Sequence, residues 1–376
     1  MNAIGTLRTV GAVLFSALFA ALQGSNALAQ NAGNGGAQSP PIVQLNVTSA
    51  DRAEARSAVE QHLHMLPSRT EAARDVPLNW AMQQGNLAPV TISAPTANLQ
   101  SGESGLTIGM TLPSVPAPGF YPADLSKLTP TGKVVAFAQS INVYVNCNND
   151  TCWGDPVGFL NDLAVSKFAH VADQYVGKTW GPRYTLGPQF KIVPDTATFF
   201  SVSDILAIVH AAAVAPGSGN GYHHIIHVFL TSGVDTCADN GNTQCYSPDH
   251  IFNFSFCAYH SSVVFNDIGE TLFSVEPFQD VAGCAVAPPS PHSQEIDSTN
   301  STLSHELFET ITDPDPPSSW IALSSLDELG REIGDECQGP PNGSFEAIVP
   351  QSIINLKIYQ VQLEYSNTYH ACASRP

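Results

Sequence analysis

From Lys133 onward, runs of apolar residues separated by Gly, Pro and Ser give the chain an alternating strand and helix pattern. Short continuous apolar runs predict buried strands, and apolar positions three and four residues apart predict helices. The predicted strands are Val134–Val145, His224–Leu230, Val263–Phe265 and pieces of Ile348–Glu364. The predicted helices are Asp155–Tyr175, Phe199–Ala213 and Asn300–Thr312. This order predicts an α/β or α+β fold, a single large domain in which helices pack against a mixed sheet.

The pattern before Lys133 is weaker. Residues 30–44 are rich in Asn, Gly, Gln and Pro, a composition typical of disorder. Ser49–Leu66 has a weak apolar stripe and predicts a helix capped by Ser49. Residues 85–132 predict loops and short extended pieces. We therefore predict a low-complexity leader at residues 30–115, which is a candidate pro-region, and a main domain at residues 116–376.

Residues 1–29 have the pattern of a secretory signal peptide. Arg8 precedes the apolar run Val10–Leu22, which is short for a membrane span, and Ala27–Ala29 forms a cleavage site before Gln30. No later segment approaches 18 uninterrupted apolar residues, so we expect no membrane span. The predicted location is secreted, either extracellular or periplasmic.

Composition excludes one class of partner and indicates the redox environment. The net charge is −19 and no basic patch is visible, so nucleic acid is not an expected partner. The eight cysteines are even in number, and all follow the signal peptide, which predicts disulfides. The neighbouring pairs Cys147–Cys152 and Cys237–Cys245 are the simplest pairings, although the spacing alone leaves the connectivity open.

The candidate chemistry lies on the helix Asn300–Thr312. His305, Glu306 and Glu309 form an HExxE motif, which is the HExxH layout of zinc metallopeptidases with a carboxylate in place of the second histidine. On a helix, His305 and Glu309 lie one turn apart on one side and can share an ion, while Glu306 is placed to act as a general base. The alternative is a solvated helix face on which His305 and Glu309 interact weakly.

A third metal ligand is expected in the acidic segment Arg331–Cys337, where Gly330 and Gly334 allow sharp turns. The candidate ligands are Asp335, which we prefer, then Glu332 and Glu336. The alternative is a surface acidic loop beside a disulfide at Cys337.

Other candidate residues carry weaker signals. His223 and His227 would be about 13 Å apart on one strand, too far to share an ion, so edge or core histidines with satisfied hydrogen bonds are expected there. His260, in the segment Cys257–His260, is a candidate second catalytic group. The chain has no G-x-S-x-G motif, no P-loop and no dinucleotide-binding glycine pattern after a strand.

Three segments together resemble the EXORDIUM, or phosphate-induced protein, family of secreted proteins. They are His227–Val234, Cys257–His260, and Ser304–Pro314 followed by Trp320 and Glu332–Cys337. The resemblance covers roughly residues 133–376. It implies an extracellular or cell-wall protein linked to growth responses in plants, without an established reaction, and its motifs match His260, His305, Glu306, Glu309 and Asp335 of this chain.

The leading hypothesis is a secreted metal-dependent hydrolase of the metallopeptidase kind, acting on a peptide or cell-wall substrate. In this hypothesis His305, Glu309 and Asp335 bind Zn²⁺ or a similar divalent ion, Glu306 is the general base, and His260 assists a ligand or the transition state. The alternative is a non-enzymatic extracellular binding or signalling protein with a structural ion or none.

Overall fold

A computed structural model describes residues 40–58, 60–67, 124–147, 150–193, 197–250, 252–286, 292–323, 330–338, 348–354 and 357–376. The α-helices of these residues are α1 Ser49–Ser57, α2 Pro156–Ala164, α3 Asp173–Val176, α4 Val202–Val214 and α5 Gln294–Thr312. The strands are β1 Ile42–Gln44, β2 Glu60–Pro67, β3 Leu125–Lys127, β4 Ala138–Val145, β5 Tyr184–Ile192, β6 Phe199–Phe200, β7 His224–Leu230, β8 Asp235–Cys237, β9 Cys245–Tyr246, β10 Phe256–Phe265, β11 Gly269–Glu276, β12 Trp320–Ala322, β13 Ile348–Ile354, β14 Lys357–Gln362, β15 Glu364–Ser366 and β16 Ala371–Ala373.

The main sheet has seven strands in the order β1–β5–β4–β7–β11–β10–β2. The pairs from β1 through β11 are parallel, whereas β10 runs antiparallel to both β11 and β2. Central parallel strands are covered on both faces, which explains why His224–Leu230 is a nearly continuous apolar run. The predicted fold class, a mixed sheet packed by helices, is confirmed.

Two hydrophobic cores form on the two faces of the sheet. On one face, α4 residues such as Ile205 and Val209 pack with Ile226 and Val228. On the other face, α2 and α5 pack with the strand residues that alternate with these along the chain, including Phe229. Helix α5 lies between β10 and β11 on one side and β14 on the other. Because α5 is covered on both sides, its polar residues from Asp297 onward are buried as well as its apolar ones.

Four disulfides connect the cysteines: Cys147–Cys152, Cys237–Cys245, Cys257–Cys284 and Cys337–Cys372. The two neighbouring pairs expected from the sequence are therefore confirmed. The Cys337–Cys372 bridge ties the acidic loop after β12 to β16 near the end of the chain. None of the helices in the described part of the chain combines the length and apolar character that a membrane crossing needs.

The N-terminal assignments need correction. Helix α1 ends at Ser57, and the residues up to Pro67 form strand β2, so the predicted helix Ser49–Leu66 is wrong beyond its first half. The predicted disordered segment 30–44 includes β1, which pairs with β5. Both strands belong to the main sheet, so residues 42–58 and 60–67 of the predicted leader are part of the fold. The signal peptide and residues 68–115 lie outside the described residues.

Other element boundaries also differ. The predicted helix Asp155–Tyr175 is broken after Ala164, because the Ser166 hydroxyl donates to the Leu163 carbonyl and also accepts from the Ala169 N–H. The predicted helix Phe199–Ala213 begins three residues later, after Ser201, which caps α4. Helix α5 begins at Gln294 with Ser293 as its cap, not at Asn300 or Ser301, and it ends before Asp313 as expected.

The contact between Asp51 and His210 holds α1 against α4. The Asp51 carboxylate accepts hydrogen bonds from the Thr48 hydroxyl at 2.6 Å and from His210 Nδ1 at 2.7 Å. Burial tends to raise the pKa of Asp51, but the hydrogen bonds from Thr48 and His210 outweigh it and lower the pKa below its usual value. Because the pKa is lowered on folding, this stabilisation is present above about pH 4 and is lost as the pH falls through the folded pKa.

The substitution Asp51→Asn is therefore expected to cost about 1.5–3 kcal/mol of unfolding free energy at pH 7, as for a hydrogen bond to a charged group. The difference from the wild type should shrink at pH 3, which is below the ordinary pKa of the carboxyl, because less of the stabilisation from ionised Asp51 remains there. Urea unfolding at both pH values measures this, with the exposed Asp280→Asn as the control. An equal effect at both pH values would contradict the ionised contact.

Candidate metal centre

Histidine and carboxylate side chains from α5 and from five other parts of the fold form one cluster. His305, Glu306 and Glu309 lie on α5, and the others come from β2, β10, β11, the loop after β12 and β15. These others are His64, His260, Glu276, Glu332, Asp335 and Glu364. His305, Glu306, Glu309, His260, Glu332 and Glu364 have no exposed surface. The solvated-face alternative for the motif helix is therefore wrong.

Strand pairing and a close loop contact bring these residues together. His64 of β2 is directly opposite His260 of β10, and their ring centroids are 5.6 Å apart. The loop carrying Asp335 comes close to α5 because Gly334 has no side chain. A Cβ atom at Gly334 would lie 2.3 Å from His305 Nδ1. The Cys337–Cys372 disulfide holds the end of this loop.

Glu309 is at the centre of the cluster. Its Oε1 lies 3.1 Å from His305 Nε2 and accepts a hydrogen bond from the Asp335 N–H at 3.2 Å. Its Oε2 lies 3.6 Å from His260 Nδ1 and 3.9 Å from His64 Nε2. Burial alone would raise the pKa of Glu309, but the charges of His305 and His64 lower it below its usual range. Glu309 is thus the carboxylate held ionised among the imidazoles.

His305 is oriented by Gln362. The Gln362 amide nitrogen donates to the Gly334 carbonyl and lies 3.2 Å from His305 Nδ1, which must then accept. Since Nδ1 accepts, the hydrogen of a neutral His305 is on Nε2, facing Glu309. This geometry favours a role for His305 in orienting Glu309. It does not favour a role for His305 as a direct metal ligand.

His64 is the site residue that the sequence reasoning missed. Its Nε2 is 2.7 Å from Asp335 Oδ2, and its Nδ1 is 3.3 Å from Glu332 Oε1. Burial lowers the pKa of His64, but the charges of Asp335 and Glu309 raise it to about 9. The sequence signal for this position is the alternation of His62 and His64 with apolar residues, which is typical of a strand and differs from the predicted helix.

Several carboxylates have oxygens without hydrogen bonds. Within the described residues, neither oxygen of Glu306, Glu332 or Glu364 has a hydrogen-bond partner. Burial and the neighbouring carboxylates raise the pKa values of all three well above their usual range. For Glu276, burial raises the pKa to about 7, although the Ser274 hydroxyl donates to it. A buried group of this kind is stabilised only by protons or by cations.

Two sets of three side chains have ligand atoms close enough to bind one ion. One set is His64, Glu309 and Asp335, and the other is His260, Glu306 and Glu309; in each, the atoms lie within 4.8 Å of one another. Imidazole nitrogen and carboxylate oxygen suit Zn²⁺ and similar divalent ions. The donor set therefore fits a metal ion, and Glu309 belongs to both groups.

The other candidate ligands of the sequence differ in position. Asp335 belongs to one metal-compatible set, whereas Glu332 and Glu336 belong to neither. Glu332 still lies in the cluster, with Oε1 3.3 Å from His64 Nδ1. His227 is 2.7 Å from the Ser274 hydroxyl and 3.2 Å from the Ser140 hydroxyl, and burial lowers its pKa to about 3. The expectation of a satisfied core histidine is confirmed. His223 lies in a short 3₁₀ turn before β7, outside the cluster.

Compared with protein-family models, with curated proteins and with solved structures, the chain matches none of them.

Proposed function

We propose that this protein is a secreted, metal-dependent hydrolase of the metallopeptidase kind. The observation that carries the proposal is the buried set of unpartnered carboxylate oxygens around Glu309, on a helix with the HExxE motif. Such groups are costly to bury unless a cation or protons compensate them.

In this proposal Glu309 and Asp335 bind the ion together with His64. His305 orients Glu309 through the 3.1 Å contact between Nε2 and Oε1. Binding of the metal ion must displace the proton that His64 shares with Asp335, since the two side chains form a 2.7 Å hydrogen bond. A divalent ion held there supplies Lewis-acid activation of water and of the bond to be cleaved. Metal binding should accordingly release protons.

Glu306 is the general base of the proposal, as the motif predicts. It follows His305 on α5, and its Oε2 lies 3.5 Å from His260 Nδ1. Once a bound cation favours the ionised form of Glu306, this carboxylate can accept a proton from the attacking water and return it to the leaving group.

Solvent can reach the cluster from the side of His64. Its side chain is 19% exposed and that of Asp335 is 8% exposed, whereas those of Glu306 and His260 are fully buried. Substrate would therefore approach past His64 and Asp335. The four disulfides support an oxidising compartment, where a peptide or cell-wall polymer is the proposed substrate class. The resemblance to the EXORDIUM family is consistent with that setting and stays a prediction.

The second candidate function is a non-enzymatic binding or signalling protein with a structural ion. The observation that favours it is the complete burial of Glu306 and His260, because structural metal sites are closed whereas catalytic sites keep an open position. Elemental analysis after gentle purification tests the ion itself. Fewer than about 0.2 metal ions per chain would argue against both metal-containing versions.

The substitution Glu306→Gln tests the hydrolase. It keeps the size of the side chain but removes the base, so we expect hydrolysis of a fluorogenic peptide library to fall by about 10²–10⁴-fold, with metal still bound. Glu295→Gln, on the first turn of the same helix and outside the cluster, is the matched control. Full activity in the Glu306→Gln variant would refute the role of Glu306 as the general base.

A further inference from the structure

The hydrogen bond of His260 determines which of its nitrogens can bind a cation. His260 Nε2 lies 3.3 Å from the backbone carbonyl oxygen of Asp313. A carbonyl only accepts, so Nε2 carries the hydrogen, and Nδ1 of the neutral ring has a free lone pair. No described residue makes a hydrogen bond to Nδ1.

That lone pair faces two carboxylates. Nδ1 is 3.5 Å from Glu306 Oε2 and 3.6 Å from Glu309 Oε2. Three acceptors that face one another repel unless a proton or a cation lies among them. Ligands at about 2.0–2.2 Å from a tetrahedral ion are roughly 3.3–3.6 Å from one another, so the two distances from Nδ1 match those of a shared ion. All three ligand atoms lie within 4.8 Å of one another.

The surroundings of His260 also have the form of a metal site. Metal-binding histidines usually donate their second N–H to a carbonyl or a carboxylate, which fixes the ring. The accepting carbonyl belongs to Asp313, the residue that ends α5, whose N–H donates to the Glu309 carbonyl at 2.7 Å. The Asp313 carboxylate accepts from the N–H groups of Ser318 and Ser319. The acceptor of His260 is therefore held from both sides.

One divalent ion does not compensate all the carboxylates of the cluster. Six buried carboxylates belong to it, namely Glu276, Glu306, Glu309, Glu332, Asp335 and Glu364. One divalent cation balances two of them. The others must hold protons or lie beside a further cation, and a second ion would be held by the carboxylates that face His260.

We infer that the cluster binds two divalent cations, with the second held by His260 Nδ1, Glu306 and Glu309, and with Glu309 bridging the two sites. This inference rests on the proposed function for the first ion, at His64, Glu309 and Asp335. It alters one role, because Glu306 then binds a cation and is not a free base. Two-metal hydrolytic centres place their ions about 3.5–4 Å apart, a separation that a bridging carboxylate can span.

Metal stoichiometry tests the second site. The full-length mature protein is freed of metal with chelator and titrated with Mn²⁺, with bound metal counted by equilibrium dialysis. We expect two ions per chain in the wild type and in Glu295→Gln, and one ion in Glu306→Gln and in His260→Ala. Binding of one ion at saturation in the wild type would overturn the inference. Two ions in both cluster variants would overturn it as well.

A spectroscopic measurement on the wild type does not depend on the variants folding. Two Mn²⁺ ions that share Glu309 should give an exchange-coupled electron paramagnetic resonance spectrum. The six-line spectrum of isolated Mn²⁺ at every loading would contradict the bridge. Two coupled ions in a protein that hydrolyses no peptide would reject the proposed function and support the two-ion site. A single bound ion in a protein that hydrolyses peptides would reject the two-ion site and support the proposed function.

Discussion

Replacement of Glu309 by Gln should abolish metal-dependent stabilisation as well as hydrolysis. Glu309 is the one side chain common to both sets of candidate ligands, and it is held ionised by His305 and His64. An amide has no charge to offer either ion, and its NH₂ group would face an imidazole. We therefore expect Glu309→Gln to reduce peptide hydrolysis at least as much as the loss of Glu306.

The effect on stability gives a measurement that needs no substrate. An ion at 100 times its Kd stabilises the folded state by about 2.7 kcal/mol. In a domain of this size that is a rise in Tm of roughly 5–10 °C. Adding Zn²⁺ to chelator-treated protein should produce this shift in the wild type and none in Glu309→Gln.

Glu364→Gln is the matched control for this variant. Glu364 is fully buried and has no hydrogen-bond partner among the described residues, but it belongs to neither metal-compatible set. The substitution removes a buried carboxyl group of the cluster and no proposed ligand, so the metal-dependent rise in Tm should persist. If Glu309→Gln kept that rise, Glu309 would not be a ligand, and the proposed centre would be wrong.

The sequence predicted the elements whose apolar pattern is simple. Strand β7 has the predicted bounds because a central parallel strand is apolar throughout. The motif helix was predicted too short. Its first turns, Gln294–Asn300, are mostly polar, and from Asp297 onward they are buried by β14 and by sheet strands that local periodicity does not reveal.

The site was predicted in part for a similar reason. His305, Glu306 and Glu309 share one helix, so their proximity follows from helical geometry alone. His64 reaches them only because β2 pairs with β10, nearly 200 residues later in the chain. The spacing of residues along the chain does not indicate long-range pairing of this kind. The apolar positions Leu63 and Leu66 also fit a helical stripe, so the local pattern did not distinguish the strand from a helix.

Gly334→Ala should weaken both the fold and the metal centre. The backbone at Gly334 has φ −78° and ψ −42°, which any residue adopts, so the effect is steric. The added Cβ would lie 2.3 Å from His305 Nδ1 and 3.0 Å from Glu309 Oε1. His305 cannot easily move aside, because its ring lies between Gln362 and Glu309.

The loop must therefore shift away from α5 and take Asp335 with it. Overpacking of this kind typically costs about 1–3 kcal/mol of unfolding free energy. Displacement of groups that orient metal ligands typically lowers metal affinity by about 10–100-fold. Chemical unfolding of the metal-free protein and calorimetric titration with Zn²⁺ measure the two effects separately. Gly181→Ala is the control, since its Cβ would have no atom within 4 Å. Wild-type stability and affinity in Gly334→Ala would mean that this loop does not approach His305, and Asp335 would then lose its place in the centre.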